Sequence, residues 1–206
     1  LEMSSANPVF ILPGALAERP EEIAGELFQS CLLAGGQMCT KPGLVVILDD
    51  PAGRTFVDRV KIAFEGSEPV ILLSPKVLEG LREASARLAR DGAERIAGRR
   101  EPSGPGFRFS PTLFTLSGTG FLRDPAAFQV ESFGTFSLIV LAKDMAEMKE
   151  IASCLEGHLT GSVYSHSDGR DDREYDAIEP ILRTKVGRLL NDKMPTGVAV
   201  SPAMNH

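Results

Sequence analysis

No apolar run in this 206-residue sequence approaches the ~20 residues a helix needs to cross a bilayer, so no membrane is expected as a partner. No secretory signal is expected from these residues either. Cysteine is scarce: Cys31, Cys39 and Cys154 show no framework spacing, which excludes a disulfide scaffold and suits reduced thiols in a cytoplasmic setting. Neither Cys-x-x-Cys, His-Glu-x-x-His nor a dense carboxylate loop occurs, so no metal site is expected. Positive charge is in deficit, with 22 Lys and Arg against 28 Asp and Glu and a net charge of −6. That balance argues against a nucleic-acid surface, and Arg95 to Arg100 reads as the cationic close of a helix. Walker and Gly-x-Gly-x-x-Gly loops are both lacking, and Gly118-Thr119-Gly120 reads as a plain turn, so the chain holds no complete cofactor site of its own. The three histidines, His158, His166 and His206, offer no persuasive base for a cysteine hydrolase.

Strand-like and helix-like segments alternate almost throughout. Val9 to Leu12, Leu44 to Leu48, Val70 to Leu73, Phe136 to Ala142 and Leu159 to Tyr164 are apolar runs of strand length. Phe107 to Ser117 alternates apolar and polar residues like a strand with one wet face. Gly187 to Leu190 reads as a last short strand. Between them, Pro20, Asp50-Pro51, Ser74-Pro75 and Asp144 with Glu147 open helices with recognisable caps or first-turn prolines. A charged helical stretch from Asp172 to Val186 is expected to kink or split at Pro180. The acids before it read as a solvated helix start. The predicted fold class is α/β: a mostly parallel sheet with helices on both faces, in three layers. In such sheets the site is expected beyond the carboxyl ends of the strands.

The chemistry-bearing stretch is Gly35-Gly36-Gln37-Met38-Cys39-Thr40-Lys41-Pro42-Gly43. Two glycines end a buried helix, and Pro42-Gly43 punctuates the entry to a strand. Cys31 and Cys154 lie on apolar helix stripes and read as inert packing. Cys39 sits among polar and glycine residues, which makes it a nucleophile candidate with Lys41 near enough in sequence to favour a thiolate. Two carboxylates stand beside it as candidates. Glu2 precedes a buried strand. Glu131, next to Val130 and close to Phe133, must face water, a ligand or a partner.

Together these segments resemble the aldehyde dehydrogenase superfamily. Gly36-Gln37-Met38-Cys39-Thr40 is similar to the family's nucleophile motif, with Lys41 where a small residue or asparagine is usual. Leu1-Glu2-Met3-Ser4-Ser5-Ala6-Asn7-Pro8 resembles the glutamate motif, with Ser4 and Ser5 in place of two glycines. Glu131-Ser132-Phe133-Gly134 resembles the Glu-x-Phe-Gly signature, with Thr135 where proline is common. Met194-Pro195-Thr196-Gly197 resembles the Pro-Thr-Gly segment. The four come in family order across nearly the whole chain. The serine-containing glutamate motif and the Cys-Thr-Lys-Pro-Gly turn are most similar to the branch of 2-oxoglutarate semialdehyde (2,5-dioxopentanoate) dehydrogenases and related bacterial fatty-aldehyde dehydrogenases.

The resemblance implies an NAD- or NADP-dependent oxidation of a small aldehyde to its acid. Cys39 is then the nucleophile that forms a thiohemiacetal and a thioacyl enzyme, and its backbone N–H is an oxyanion donor. The second oxyanion donor, an asparagine, lies outside this segment. Glu2 activates the hydrolytic water, Glu131 binds the nicotinamide ribose and Phe133 packs near the nicotinamide. Gln37 and Thr40 shape the turn. The chain opens at Leu1-Glu2-Met3 and ends at Asn205-His206 without a closing helix. Residues 1–206 are therefore expected to be a catalytic domain cut from a longer homo-oligomeric protein, separated from a preceding dinucleotide-binding domain and inactive alone. The competing readings are an acylating or phosphate-linked aldehyde dehydrogenase, which needs no water-activating Glu2, and a non-catalytic α/β assembly domain.

Overall fold

Unbroken apolar runs make strands that are covered on both faces, and they form the centre of the computed structural model, which describes residues 5–196. In chain order the strands are β1 (Pro8–Ile11), β2 (Leu44–Leu48), β3 (Val70–Leu72), β4 (Glu94–Ala97), β5 (Phe107–Phe109), β6 (Thr112–Ser117), β7 (Phe136–Ala142), β8 (His158–Tyr164) and β9 (Val186–Asn191). The helices are α1 (Pro13–Glu18), α2 (Pro20–Leu32), α3 (Pro51–Glu65), α4 (Pro75–Arg90), α5 (Gly118–Arg123), α6 (Met145–Ser153) and α7 (Asp172–Arg183). Seven strands form one sheet in the order β4-β6-β7-β2-β1-β8-β9. Every neighbouring pair is parallel except edge strand β4, which runs antiparallel to β6.

Strand side chains alternate between faces, and this divides the apolar residues into two cores. Val9, Ile11, Val45, Ile47 and Ile139 pack against α1, α2 and α3 through Ile23, Leu27, Phe56 and Phe64. Phe10, Leu12, Leu44, Val46 and Val140 pack on the other side against Leu81, Phe121, Met148, Ile151 and Ile178 of the later helices. The mostly parallel, helix-covered α/β fold is thus the one expected. Helix starts also fall where the caps are: Asp50 accepts from Gly53 N–H at 2.7 Å and Asp144 from Glu147 N–H at 2.8 Å.

Tertiary pairing overrode several local readings. Residues 95–100 do not close a helix. Helix α4 stops at Arg90, Gly92 takes φ +100°, and Glu94–Ala97 becomes the sheet edge, where Arg95 lies over the Phe114 ring at 5.7 Å. The stretch from Phe107 to Ser117 is two strands broken at Ser110-Pro111. β5 pairs antiparallel with β3 in a separate ribbon, and β6 lies inside the main sheet with little water on either face. Residues 118–120 start helix α5, with the Ser117 hydroxyl accepting from Gly120 N–H at 3.1 Å. Helix α7 runs through Pro180 without splitting. Asp171, expected in solvent, is buried and accepts from the Gly14, Ala15 and His166 N–H groups at 2.8, 2.9 and 2.8 Å, pinning the start of α1. Cys154 is exposed where α6 ends.

Candidate active site

The cysteine turn enters β2 and the Glu131 loop enters β7, and these strands are parallel neighbours. Residues 5–7 lead into β1, the next strand over. The candidate residues therefore gather at the amino ends of the strands, not at the carboxyl ends as expected. The carboxyl-end rule concerns ligands gripped by helix N-termini. Here the candidate residues sit on loops running into the strands.

Helix α2 ends at Leu32, and Ala34, Gly35 and Gly36 all adopt positive φ (51°, 66° and 70°), reversing the chain. Gly36 is required for a second reason. A Cβ there would lie 2.3 Å from the Gly134 carbonyl carbon and 2.4 Å from Thr135 N. The cysteine turn and the Glu-x-Phe-Gly loop thus touch backbone to backbone, as only glycine permits. Gln37 anchors the turn sideways: its Oε1 accepts from Leu73 N–H at 2.8 Å and its Nε2 donates to Ala34 O at 3.1 Å. Gln37 is a shaping residue, as expected.

Asn7 holds the turn from below. Its Nδ2 donates to Cys39 O at 2.9 Å and Lys41 O at 3.0 Å, while its Oδ1 accepts from the Ser5 and Thr160 hydroxyls, each at 2.8 Å. Its φ of 47° is one that asparagine tolerates better than most residues. Sequence reasoning passed over Asn7; its one signal was an asparagine directly before Pro8. The Pro-Thr segment closes the far side, where Thr196 Oγ1 donates to Thr40 O at 3.2 Å and accepts from Ser30 Oγ at 2.5 Å. Cys39 itself is exposed at the tip.

Glu131 is half-buried and Phe133 is 37% exposed, and both lie on the loop whose Gly134 meets Gly36. The structure brings Cys39, Glu131 and Phe133 onto adjoining loops. Glu2 lies outside the described residues.

Lys41 does not serve Cys39 as its sequence position suggests. Its side chain is 3% exposed and points inward, donating from Nζ to Phe136 O at 2.5 Å. Burial pushes its pKa down to about 8, against the opposing pull of Cys31 and Glu131. Burial likewise pushes the Cys31 thiol up to about 11, so Cys31 is an inert neutral thiol on this scaffold. His158 is buried too. Its Nδ1 accepts from Ala6 N–H at 3.2 Å, so Nε2 carries the proton toward Gln129 Oε1 at 3.2 Å, and burial lowers its pKa to about 4. It braces the segment next to Asn7 and is not a base for Cys39. Among the described residues no helix is long and apolar enough to cross a membrane, and no group of three or more His, Cys, Asp or Glu is placed to hold a metal.

The open, mostly parallel α/β sheet thus carries an exposed cysteine on a glycine-tight turn that abuts a loop with a carboxylate and an aromatic ring. Residues 1–180 match the model of the aldehyde dehydrogenase family, and the chain belongs to that family. It is 35% identical over 205 residues to alpha-ketoglutaric semialdehyde dehydrogenase 2 of Azospirillum brasilense, covering all of this chain and 38% of that protein. It is 32% identical over 206 residues to alpha-ketoglutaric semialdehyde dehydrogenase of Acinetobacter baylyi, covering 39% of it. The chain thus spans about two fifths of the length of the curated relatives it matches. The NAD+ complex of an aldehyde dehydrogenase from Bacillus cereus superposes with a TM-score of 0.77 at 20% identity, over 97% of this chain and 40% of that one. At that identity the likeness is one of fold.

Proposed function

We propose that this chain is the thiol-bearing catalytic domain of an aldehyde dehydrogenase that oxidises 2,5-dioxopentanoate, or a closely related aldehyde, to its carboxylic acid. The observation that carries the reading is the backbone contact of Gly36 with Gly134, which sets the Cys39 turn against the Glu131–Phe133 loop. Identity with two alpha-ketoglutaric semialdehyde dehydrogenases over the whole chain supports the substrate class.

The residues fit the nicotinamide half of a dinucleotide. Glu131 offers a carboxylate for ribose hydroxyls, and Phe133 offers a partly exposed ring. The adenine half falls to a dinucleotide-binding domain outside this chain. When bound, the dinucleotide accepts a hydride from the substrate carbon.

Cys39 acts as thiolate, its sulfur bonding to the aldehyde carbon to give a thiohemiacetal whose oxyanion receives the Cys39 backbone N–H. Loss of hydride converts this adduct to a thioester on Cys39. Glu2 removes a proton from water as the water oxygen attacks the thioester carbon. The C–S bond then breaks, releasing the acid and restoring the thiolate. Asn7 fixes the turn through the Cys39 carbonyl while the sulfur is bonded and released.

The test uses the full-length enzyme. Cys39→Ala should lower kcat at least about 10³-fold with every aldehyde. Glu2→Gln should preserve a burst of reduced cofactor and slow the steady state. Loss of burst and steady state together would refute the role given to Glu2, and an acylating enzyme would show no dependence on Glu2. A profile of 2,5-dioxopentanoate against short and long aliphatic aldehydes tests the substrate.

A further inference from the structure

We infer that the amino end of β8 is the template on which the Cys39 turn is set, with His158 as a positioning residue that acts through Ala6 and Asn7. The inference rests on the role proposed above for Cys39.

Asn7 grips the Cys39 and Lys41 carbonyls, so the placing of the thiol depends on the placing of Asn7. Its backbone is left-handed, at φ 47°, and a non-glycine residue keeps such a conformation only where its surroundings impose it. Those surroundings are three consecutive residues of β8, each bonded to one of residues 5–7. His158 Nδ1 accepts from Ala6 N–H at 3.2 Å, Leu159 N–H donates to Ser5 Oγ at 3.0 Å, and Thr160 Oγ1 donates to Asn7 Oδ1 at 2.8 Å. The Ser5 hydroxyl donates in turn to Asn7 Oδ1 at 2.8 Å. With two donors on its oxygen, the Asn7 amide must turn its Nδ2 toward the Cys39 and Lys41 carbonyls. On its other side Ala6 O accepts from Gly43 N–H at 2.7 Å, where the Cys39 turn enters β2. Residue 6 is thereby fixed from both β8 and the turn.

His158 can accept from Ala6 N–H in one tautomer only, and Gln129 selects it. Gln129 Nε2 donates to Pro125 O at 3.0 Å and Cys154 O at 3.2 Å, and its Oε1 accepts from Glu156 N–H at 2.8 Å. The amide oxygen therefore faces His158, which must donate to it from Nε2 at 3.2 Å and keep Nδ1 as the acceptor. A continuous path of hydrogen bonds and short backbone links runs from Gln129 through His158, Ala6 and Asn7 to the Cys39 carbonyl. Gln129, His158, Ala6 and Asn7 are all buried, so bulk water does not replace a partner removed from the path. The disturbance passes to the turn, and a thiol displaced from its attacking position costs rate.

The experiment measures, in the full-length enzyme, the pre-steady-state burst of reduced cofactor, which reads the steps at Cys39 before hydrolysis, and the reduced-cofactor Kd by fluorescence. His158→Leu leaves the Ala6 N–H buried without an acceptor; it should slow the burst about tenfold or more and change the Kd by less than about twofold. His158→Asn retains an acceptor for that N–H and should recover the burst to within about threefold of wild type. Thr160→Val removes one of the two donors to Asn7 Oδ1 at nearly constant shape and should slow the burst about threefold. Asp171→Ala destabilises the opposite end of the sheet and should leave the burst rate unchanged. If Asp171→Ala slows the burst as much as His158→Leu does, the effect is one of stability and the inference is overturned. A wild-type burst in His158→Leu overturns it too, while a Cys39→Ala enzyme without a burst would still support the proposed function. A burst that survives Cys39→Ala overturns the role of Cys39 and the inference with it. Failure of His158→Asn to recover the rate overturns the part given to Nδ1. Should His158→Leu not fold, Thr160→Val decides, and a wild-type burst there overturns the template.

Discussion

Protonation of His158 should destabilise this chain as the pH falls. His158 is 8% exposed, and burial lowers its pKa from 6.5 to about 4. In the folded state the ring is neutral, with Nδ1 accepting from Ala6 N–H; protonation would set two N–H groups facing each other. The unfolded chain takes up this proton first, so the stabilisation is complete above pH 6.5 and is lost as pH falls toward 4. At 1.36 kcal/mol per pKa unit the full loss is about 3 kcal/mol, and about 2 kcal/mol is already gone at pH 5. That is a large share of the 5–15 kcal/mol typical of a domain. Urea unfolding at pH 7 and pH 5 measures it, with His158→Asn as the comparison. Asparagine retains an acceptor for the Ala6 N–H but has no proton to gain in this range. The variant should lose about 2 kcal/mol less than wild type on going from pH 7 to 5, since the carboxylates titrate alike in both. Equal pH slopes in the two proteins would refute the reasoning, as would a His158 pKa near 6.5 by NMR.

Gly36→Ala should destabilise the chain by about 2 kcal/mol or more, since it adds left-handed strain to a clash with unyielding backbone; wild-type stability in denaturant would mean that the two loops do not touch. In the full-length enzyme the same change should weaken cofactor binding. Asp171→Ala should cost about 3 kcal/mol, because three backbone N–H groups lose a charged acceptor; calorimetry should place its Tm roughly 6–12 °C lower. Iodoacetamide on the native chain should label Cys39 and Cys154 and spare Cys31 until the chain unfolds; peptide mapping that finds Cys31 labelled in the folded state would contradict its burial.

Much of this arrangement was legible before any coordinates. The runs that became β1, β2 and β7 are apolar over consecutive residues because helices cover both faces, and that pattern is local. Asp50, Ser74 and Asp144 announced their helices because a cap acts on N–H groups two or three residues away. The glycines before Cys39 marked a reversal for the same reason, and the family motifs around Cys39, Glu2, Glu131 and Phe133 could be read as strings.

Several of the readings that failed turned on partners far along the chain. Charged residues 95–100 look helical until β6 offers them an edge to pair with. Asp171 looks solvated until the start of α1, 156 and 157 residues earlier, presents its N–H groups. Lys41 looks like a companion for Cys39, yet its ammonium finds Phe136 O, 95 residues away. Local spacing encodes what neighbours three or four residues apart can do, which was enough for the class of fold and for singling out Cys39 as a nucleophile candidate. Which end of the sheet carries the candidate residues, and which side chains hold the Cys39 turn in place, follows from strands set side by side. That juxtaposition of Asn7 with Cys39, and of Gly36 with Gly134, exists only once the parallel sheet has formed.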